Sequence, residues 1–380
     1  MSIINLNYSE YEDDERLWKI SDTTFEDINL IVGKNSTGKS RLLTLINSLT
    51  QLLTGNLGPF DSGKYQTLLR INGRNFLYEI ECKGSEVVGE SLMVDEEVKL
   101  IRKPDGSGKI WYEQVGDYLD FKLPKSAVAA VNRRDEIQHP YLIELHEWAK
   151  SVALYHFGSD FGKSRLMNVS DMESIFNVKA PLNFDDPNNL VGIYSTAYLH
   201  YKEDFDIAII RDMGKLGYSL KDIGSDNLQA ILKIPFPTIG LFTVENDLGF
   251  KNSQVHMSQG MFRALALTIH LNICAFSKSR NLILVDDIGE GLDFERSVAM
   301  IDLLISKAKE NNLQLIMTTN DRFVMNSVPL EYWGVLKRKA GLVKMLNARN
   351  SANLFKKFKY LGLNNFDLFA SDYFETEVSE

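Results

Sequence analysis

Along this chain block-apolar and alternating stretches mark both ends, and a 3.6-residue apolar period marks the middle. Ser2 to Asn7 and Leu17 to Ile31 read as two strands joined by the acidic turn Glu12-Asp13-Asp14-Glu15, expected to be a solvated loop. The apolar run Ile28-Asn29-Leu30-Ile31-Val32 leads through a Gly-rich loop into Arg41-Leu42-Leu43-Thr44-Leu45-Ile46. That helix is expected to reach about Leu53, where Gly55, Gly58 and Pro59 stop it. From Thr67 to Glu113 short aromatic and β-branched runs separated by turns predict an antiparallel meander. Between Pro124 and Pro237 the period is mainly helical, as in Tyr141 to Ala149 and Tyr198 to Met213. The last third alternates again: strand Gly240 to Glu245, helix from Ser258, strand Leu282 to Val285, helix Phe294 to Lys309, strand Leu313 to Thr318. The pattern predicts an α/β core whose halves, 1–123 and 238–335, are separated by a mainly helical inserted lobe at 124–237 and followed by a tail at 336–380. No heptad repeat persists, so no long coiled-coil arm is expected.

The loop between the first apolar block and its helix reads Gly33-Lys34-Asn35-Ser36-Thr37-Gly38-Lys39-Ser40, a complete G-x-x-x-x-G-K-S phosphate loop in the order strand, loop, helix. Its glycines let successive amides turn inward around an anion, and the helix N-terminus adds positive potential there. These eight residues and Arg41 are the candidate nucleotide-binding set. Lys39 is suited to the β- and γ-phosphates of ATP, and Ser40 to a magnesium ion. Asn281-Leu282-Ile283-Leu284-Val285-Asp286-Asp287 is a buried-type strand ending in two carboxylates. Asp286 is the second candidate magnesium ligand, and Asp287 the candidate for orienting an attacking water.

Composition narrows the picture little. With 380 residues, 44 % apolar and 24 % charged, the chain reads as an ordinary two-lobed globular protein. A net charge of −9 disfavours a surface that is everywhere a nucleic-acid footprint. Cys82 and Cys274 have no partner motif and are expected to be buried thiols. The N-terminus carries no signal-peptide pattern and no stretch reaches the roughly 18 apolar residues that cross a bilayer, so a cytoplasmic location is expected. The histidines show no metal-ligand spacing. Trp18 or Tyr11 beside adenine, and Gln138 as a γ-phosphate sensor, are minor expectations.

The order of further motifs is similar to that of a known family. Met257-Ser258-Gln259-Gly260-Met261-Phe262-Arg263 resembles the signature segment of ABC-type ATPases in the degenerate S-x-G-x-x-R form of RecF-like and OLD-like proteins. Gly291-Leu292-Asp293 resembles the D-loop, and Gln314-Leu315-Ile316-Met317-Thr318-Thr319-Asn320-Asp321 the switch strand. On that set the chain is identified as a member of the RecF/SMC/OLD-like group, similar to stand-alone AAA_15/AAA_21-type ATPases of bacterial defence systems. The resemblance implies an ABC-ATPase head, pairing of two heads around ATP, and Ser258 and Gly260 binding the γ-phosphate in trans. It assigns Lys39, Asp287 and Asn320 to catalysis. It also implies slow turnover, because Asp287 stands where most members carry Glu and Asn320 where many carry His. Glu290 could compensate, although it is expected at the surface. Sixty residues follow Asn320, too few for a fused nuclease domain, so a separately encoded effector in anti-phage defence is the expected partner. The alternative is a RecF-like clamp on duplex DNA, with Arg133-Arg134 and Lys337-Arg338-Lys339 as phosphate contacts.

Overall fold

The computed structural model describes residues 1–12, 14–178, 186–233, 235–358 and 364–370. β1 (Ser2–Glu10), β2 (Trp18–Thr24) and β3 (Ile28–Val32) precede α1 (Lys39–Thr54). The meander follows as β4 (Ser62–Ile71), β5 (Arg74–Lys83), β6 (Glu86–Val94), β7 (Glu97–Arg102), β8 (Ser107–Tyr112) and β9 (Asp117–Lys122). Next come α2 (Ala129–Asn132), α3 (Pro140–Lys150), β10 (Val152–His156), β11 (Met167–Asn168), α4 (Val169–Val178), α5 (Leu190–Tyr201), α6 (Glu203–Lys215), β12 (Leu220–Asn227) and α7 (Gln229–Leu232). The last part holds β13 (Thr238–Glu245), β14 (Lys251–Ser253), α8 (Gln259–Ser277), β15 (Leu282–Asp286), α9 (Phe294–Glu310), β16 (Gln314–Thr318) and α10 (Arg322–Ser327). A 3-10 turn at Leu330–Tyr332, β17 (Trp333–Lys339), β18 (Leu342–Asn347), α11 (Ala352–Phe358) and α12 (Asn365–Ala370) complete the described chain.

Among the described residues one sheet of 14 strands runs β10-β15-β16-β3-β17-β18-β2-β1-β4-β5-β6-β7-β8-β9. β10, β15, β16, β3 and β17 are mutually parallel, so the loops that follow them leave the same edge. That edge, at the carboxyl ends of parallel strands, is where α/β sheets bind ligands. Side chains of these strands alternate between two apolar layers. Ile31, Leu282, Leu284 and Ile316 pack with Leu42, Ile46 and Leu49 of α1 and with Leu142, Leu145 and Trp148 of α3. Leu30, Val32, Ile283, Val285, Leu315 and Met317 pack on the other side with α8, α9 and the α5–α6 pair. Continuous apolar runs rather than alternation in β3 and β15 follow from this double cover. The smaller sheet, β11-β13-β12 with β14 beside β13, belongs to the second layer's end.

Several boundaries differ from the sequence reading. Leu17 to Ile31 is two strands, broken at Phe25-Glu26-Asp27, because β2 and β3 do not pair. The β17–β18 hairpin lies between them, β17 parallel to β3 and β18 parallel to β2. The run Lys337-Arg338-Lys339 is therefore sheet rather than tail, and Trp333 is buried. The stretch 124–237 also divides. α3 packs on α1, and β10 pairs with β15 as the sheet's end strand, while the remainder carries β12 as well as helices. Phe366 and Phe369 of the C-terminal segment pack on the core, and Asn365 donates to the Met325 and Val328 carbonyls; Glu377 to Glu380 lie outside the described residues.

α8 is the hub. Its 19 residues are long and apolar enough in composition to cross a membrane, contrary to the sequence expectation, with a mean hydropathy of 1.3. Here every residue from Gly260 to Cys274 is buried in protein, which explains the composition. His270 is among them, its Nε2 3.0 Å from the Pro187 carbonyl and its ring 4.6 Å from that of Tyr155. Burial holds its pKa down at about 4. The unfolded imidazole takes a proton near pH 6.5, so stability is complete above that pH and falls by about 1.4 kcal/mol per unit on acidification toward pH 4. Urea melts of the parent and of His270→Gln between pH 7.5 and 4.5 are expected to show the variant losing less stability over that range. Cys82 and Cys274 are both buried thiols.

Candidate functional site

The phosphate loop leaves β3 in the middle of the parallel block. Gly38 has φ 106°, a left-handed turn into α1, and no side chain caps the helix, so its first amides remain available to an anion. Thr37 closes the turn, its N–H and hydroxyl donating to the Lys34 carbonyl at 3.2 and 2.8 Å. Lys39 is only 6 % exposed, and its Nζ donates to the Gly33 carbonyl at 2.8 Å. Burial lowers its pKa, opposed by the nearby charges of Asp287 and Asp286. No ion pair forms at Lys39 among the described residues. A buried ammonium held by a lone carbonyl is an electrostatic half-site that a phosphate completes. Trp18 does not face outward for adenine: it is 3 % exposed, lies under Gly38, and is covered by the Arg41 guanidinium 4.0 Å from its ring centre. Arg41 in turn contacts Glu10. Tyr11 carries Arg16 at 4.0 Å over its ring.

β15 delivers Asp286 and Asp287 two strands away, with β16 between. Burial raises the Asp286 carboxyl but hydrogen bonds from His156, Thr318 and Ser40 outweigh it, and its pKa is lowered. Ser40 and Asp286 thus present oxygens to one point, as a divalent cation requires. Asp287 takes the left-handed conformation, φ 55°, where its N–H donates to Thr318 Oγ1 at 2.9 Å and its Oδ1 accepts from Asn320 Nδ2 at 3.2 Å. Burial, Asp286 and Glu290 raise its pKa. Thr318, fully buried, also donates to Asp286 Oδ1 at 2.6 Å, so one hydroxyl sets both acids. A second partner invisible to the sequence reading is His156, at the end of β10, with Nδ1 3.5 Å from Asp286 Oδ2. Only the parallel pairing of His156 with Asp286 could have revealed it. Glu290 is exposed, yet its carboxylate approaches the same place: a β-carbon on Gly158 would lie 2.6 Å from its Oε2 and 3.2 Å from Asp287 Cβ.

Ser258 is exposed and caps α8, accepting from the Met261 N–H at 3.2 Å, and among the described residues no hydrogen bond joins its side chain to its own phosphate loop. Gly260 is buried against the D-loop, where a β-carbon would meet the Gly291 carbonyl at 2.6 Å. Arg263 joins three segments, donating to the Ser159 carbonyl at 2.9 Å, the Glu290 carbonyl at 2.9 Å and the Gly158 carbonyl. The signature helix, the D-loop and the loop after β10 are thereby one unit.

The structure thus gathers Gly33 through Arg41, Asp286, Asp287 and Asn320 at one sheet edge and places Ser258 and Gly260 on a separate segment of the same head, at the N-cap and in the first turn of α8. Gln138 is exposed before α3, its N–H on Asp135 and its carbonyl on the Glu113 N–H. The arginines expected to meet DNA turn onto their own chain. Arg133 sits 5.2 Å from the Phe121 ring, Arg134 Nε donates to the Val131 carbonyl at 3.0 Å, and Arg338 donates to the Ser36 and Ala340 carbonyls.

The head of an SMC protein, solved bound to the C-winged helix domain of ScpA, is 13 % identical; the match covers 93 % of this chain and 100 % of that one at a TM-score of 0.54. The SMC head domain from Thermotoga maritima, at 13 % identity, covers 91 % and 99 % with a TM-score of 0.46. An Smc head with an extended coiled coil bound to the C-terminal domain of ScpA, from Pyrococcus furiosus, at 12 % identity, covers 94 % and 99 % with 0.49. At such identity the first of these likenesses speaks for the fold, an ABC-type ATPase head. No curated protein matches the chain. The family model of the AAA domain described as putative AbiEii toxin, Type IV TA system, AAA_21, matches residues 28–326, which span every segment of the site. The chain therefore belongs to the AAA_21 family of ATPases.

Proposed function

We propose that this head binds ATP with magnesium, pairs with a second copy across the nucleotide, and hydrolyses it slowly, so that pairing holds or releases a separately encoded effector protein in anti-phage defence. The observation that carries the reading is the split site: a buried Lys39 with no ion pair among the described residues, beneath an uncapped helix, and an exposed signature Ser258 on a separate segment of the head. Lys39 and the loop amides hold the phosphates; Ser40 and Asp286 hold the cation, which neutralises phosphate charge. Asp287, kept in place by Thr318 and Asn320, orients water. Its carboxylate is one methylene shorter than Glu, and Asn320 cannot exchange a proton near neutral pH, both of which support slow turnover. The pairing is ATP-dependent because the γ-phosphate itself joins the two heads. A head of this fold solved with a domain of ScpA supports a protein as the kind of partner.

The test is the mass of the particle in solution. With MgATP, Asp287→Ala is expected to accumulate as a dimer and Lys39→Met to remain a monomer. Light scattering that gives one mass for both would overturn the pairing.

A further inference from the structure

Ser36, at the apex of the phosphate loop, has φ 65°, a conformation that L side chains avoid and glycine adopts freely. On one side the apex is braced by the Thr37–Lys34 turn already described. On the other, its carbonyl accepts from Arg338 Nη1 at 2.9 Å, across 302 positions of sequence. Arg338 is itself aimed by the hairpin that bears it: Nε donates at 2.7 Å to the carbonyl of Ala340, which turns the chain from β17 into β18 with φ 53°. The hairpin cannot drift, because Trp333, Gly334 and Val335 pair with Leu30, Ile31 and Val32 of the strand that carries the loop. A planar guanidinium with donors in fixed directions suits a contact that must hold geometry.

We propose that Arg338 is a positioning residue for ATP: it holds the strained apex of the phosphate loop in the form whose amides face the phosphates. This rests on the reading that the loop binds ATP. The strain at Ser36 is what makes the contact necessary, since a loop with glycine there would adopt the same form unaided. Arg338 therefore acts on affinity rather than on the chemical step.

The experiment is a four-way comparison of Mg-mant-ATP binding to the full chain, its Arg338→Met and Ser36→Gly variants, and the double variant. Arg338→Met keeps the aliphatic stem and is expected to weaken binding about tenfold, the size of a charged hydrogen bond partly open to water. Turnover at saturating ATP stays unchanged, and so does the melting temperature without nucleotide. Ser36→Gly alone is the reference for the coupling. The double variant is expected to bind within about twofold of Ser36→Gly, a coupling that distinguishes loop positioning from a direct contact with nucleotide. Additive effects, with no recovery in the double variant, would overturn the proposal, as would parental affinity in Arg338→Met. Absence of binding by the parent chain would instead strike at the ATP reading itself.

Discussion

Lys39→Met is expected to weaken ATP binding by about a hundred- to a thousandfold, the loss of about 3–4 kcal/mol carried by a desolvated charge contact with phosphate. The same variant is expected to melt within about 1 kcal/mol of the parent in the absence of nucleotide. The two halves have one cause. Lys39 is buried with no carboxylate paired to it among the described residues, so burial disfavours its charged form more than the nearby Asp287 and Asp286 favour it. Methionine removes that penalty together with the single hydrogen bond to the Gly33 carbonyl. What is lost is the interaction only a phosphate makes. Calorimetric titration with MgATP and a thermal melt of the same sample check both. A variant that unfolds without nucleotide would mean that Lys39 is mainly structural.

The second large effect lies away from the loop. Asp212 of α6 is fully buried, and its Oδ2 meets Lys307 Nζ of α9 at 2.7 Å and Asn272 Nδ2 of α8 at 3.0 Å. Lys307 also donates to Asn272 Oδ1 at 2.8 Å, closing a triangle that fastens three helices behind the sheet. Burial alone would raise the Asp212 pKa, but Lys307 overrides it and the net shift is downward. Lys307→Met leaves the carboxylate with only the largely solvent-exposed cations Arg211 and Lys215, at 3.5 and 3.2 Å, and is expected to cost about 3–5 kcal/mol. Asp212→Asn added to it should recover much of that, because a neutral amide needs no counter-ion.

The pH dependence has a defined sign. Burial raises the Asp212 carboxyl and Lys307 is the foremost group that lowers it, so removing Lys307 shifts that pKa upward and acidification is expected to stabilise the variant relative to the parent. The gap in urea midpoints between Lys307→Met and parent should therefore narrow from pH 7.5 to pH 5.5. A constant gap would assign the loss to packing instead.

These cases show where local reading succeeds. Gly33 to Ser40 and Asp286 were legible because each is a contiguous segment whose chemistry depends on its own backbone: a strand that ends, a turn that needs glycine, a helix that begins. The signature-like, D-loop-like and switch-like segments are contiguous in the same way. The helices from Ser258 and Phe294 were legible in the pattern of the last third, and the structure adds their caps, Ser258 and Asp293 each accepting from an amide of the first turn.

Sequence alone thus determined that a phosphate loop and an acidic strand exist, and in which order. Only the tertiary structure decided what stands beside them. His156 was passed over because a histidine at the end of a helical-looking stretch has no local mark of a strand that pairs with β15. Thr318 reads as one more apolar-strand residue until its hydroxyl is seen between Asp286 and the Asp287 amide. The basic run at Lys337 looked like a tail because nothing nearby says that its strand inserts between β3 and β2. Parallel pairing joins residues hundreds of positions apart and leaves no local pattern, since each strand shows only which of its faces are buried and never the neighbour that buries them.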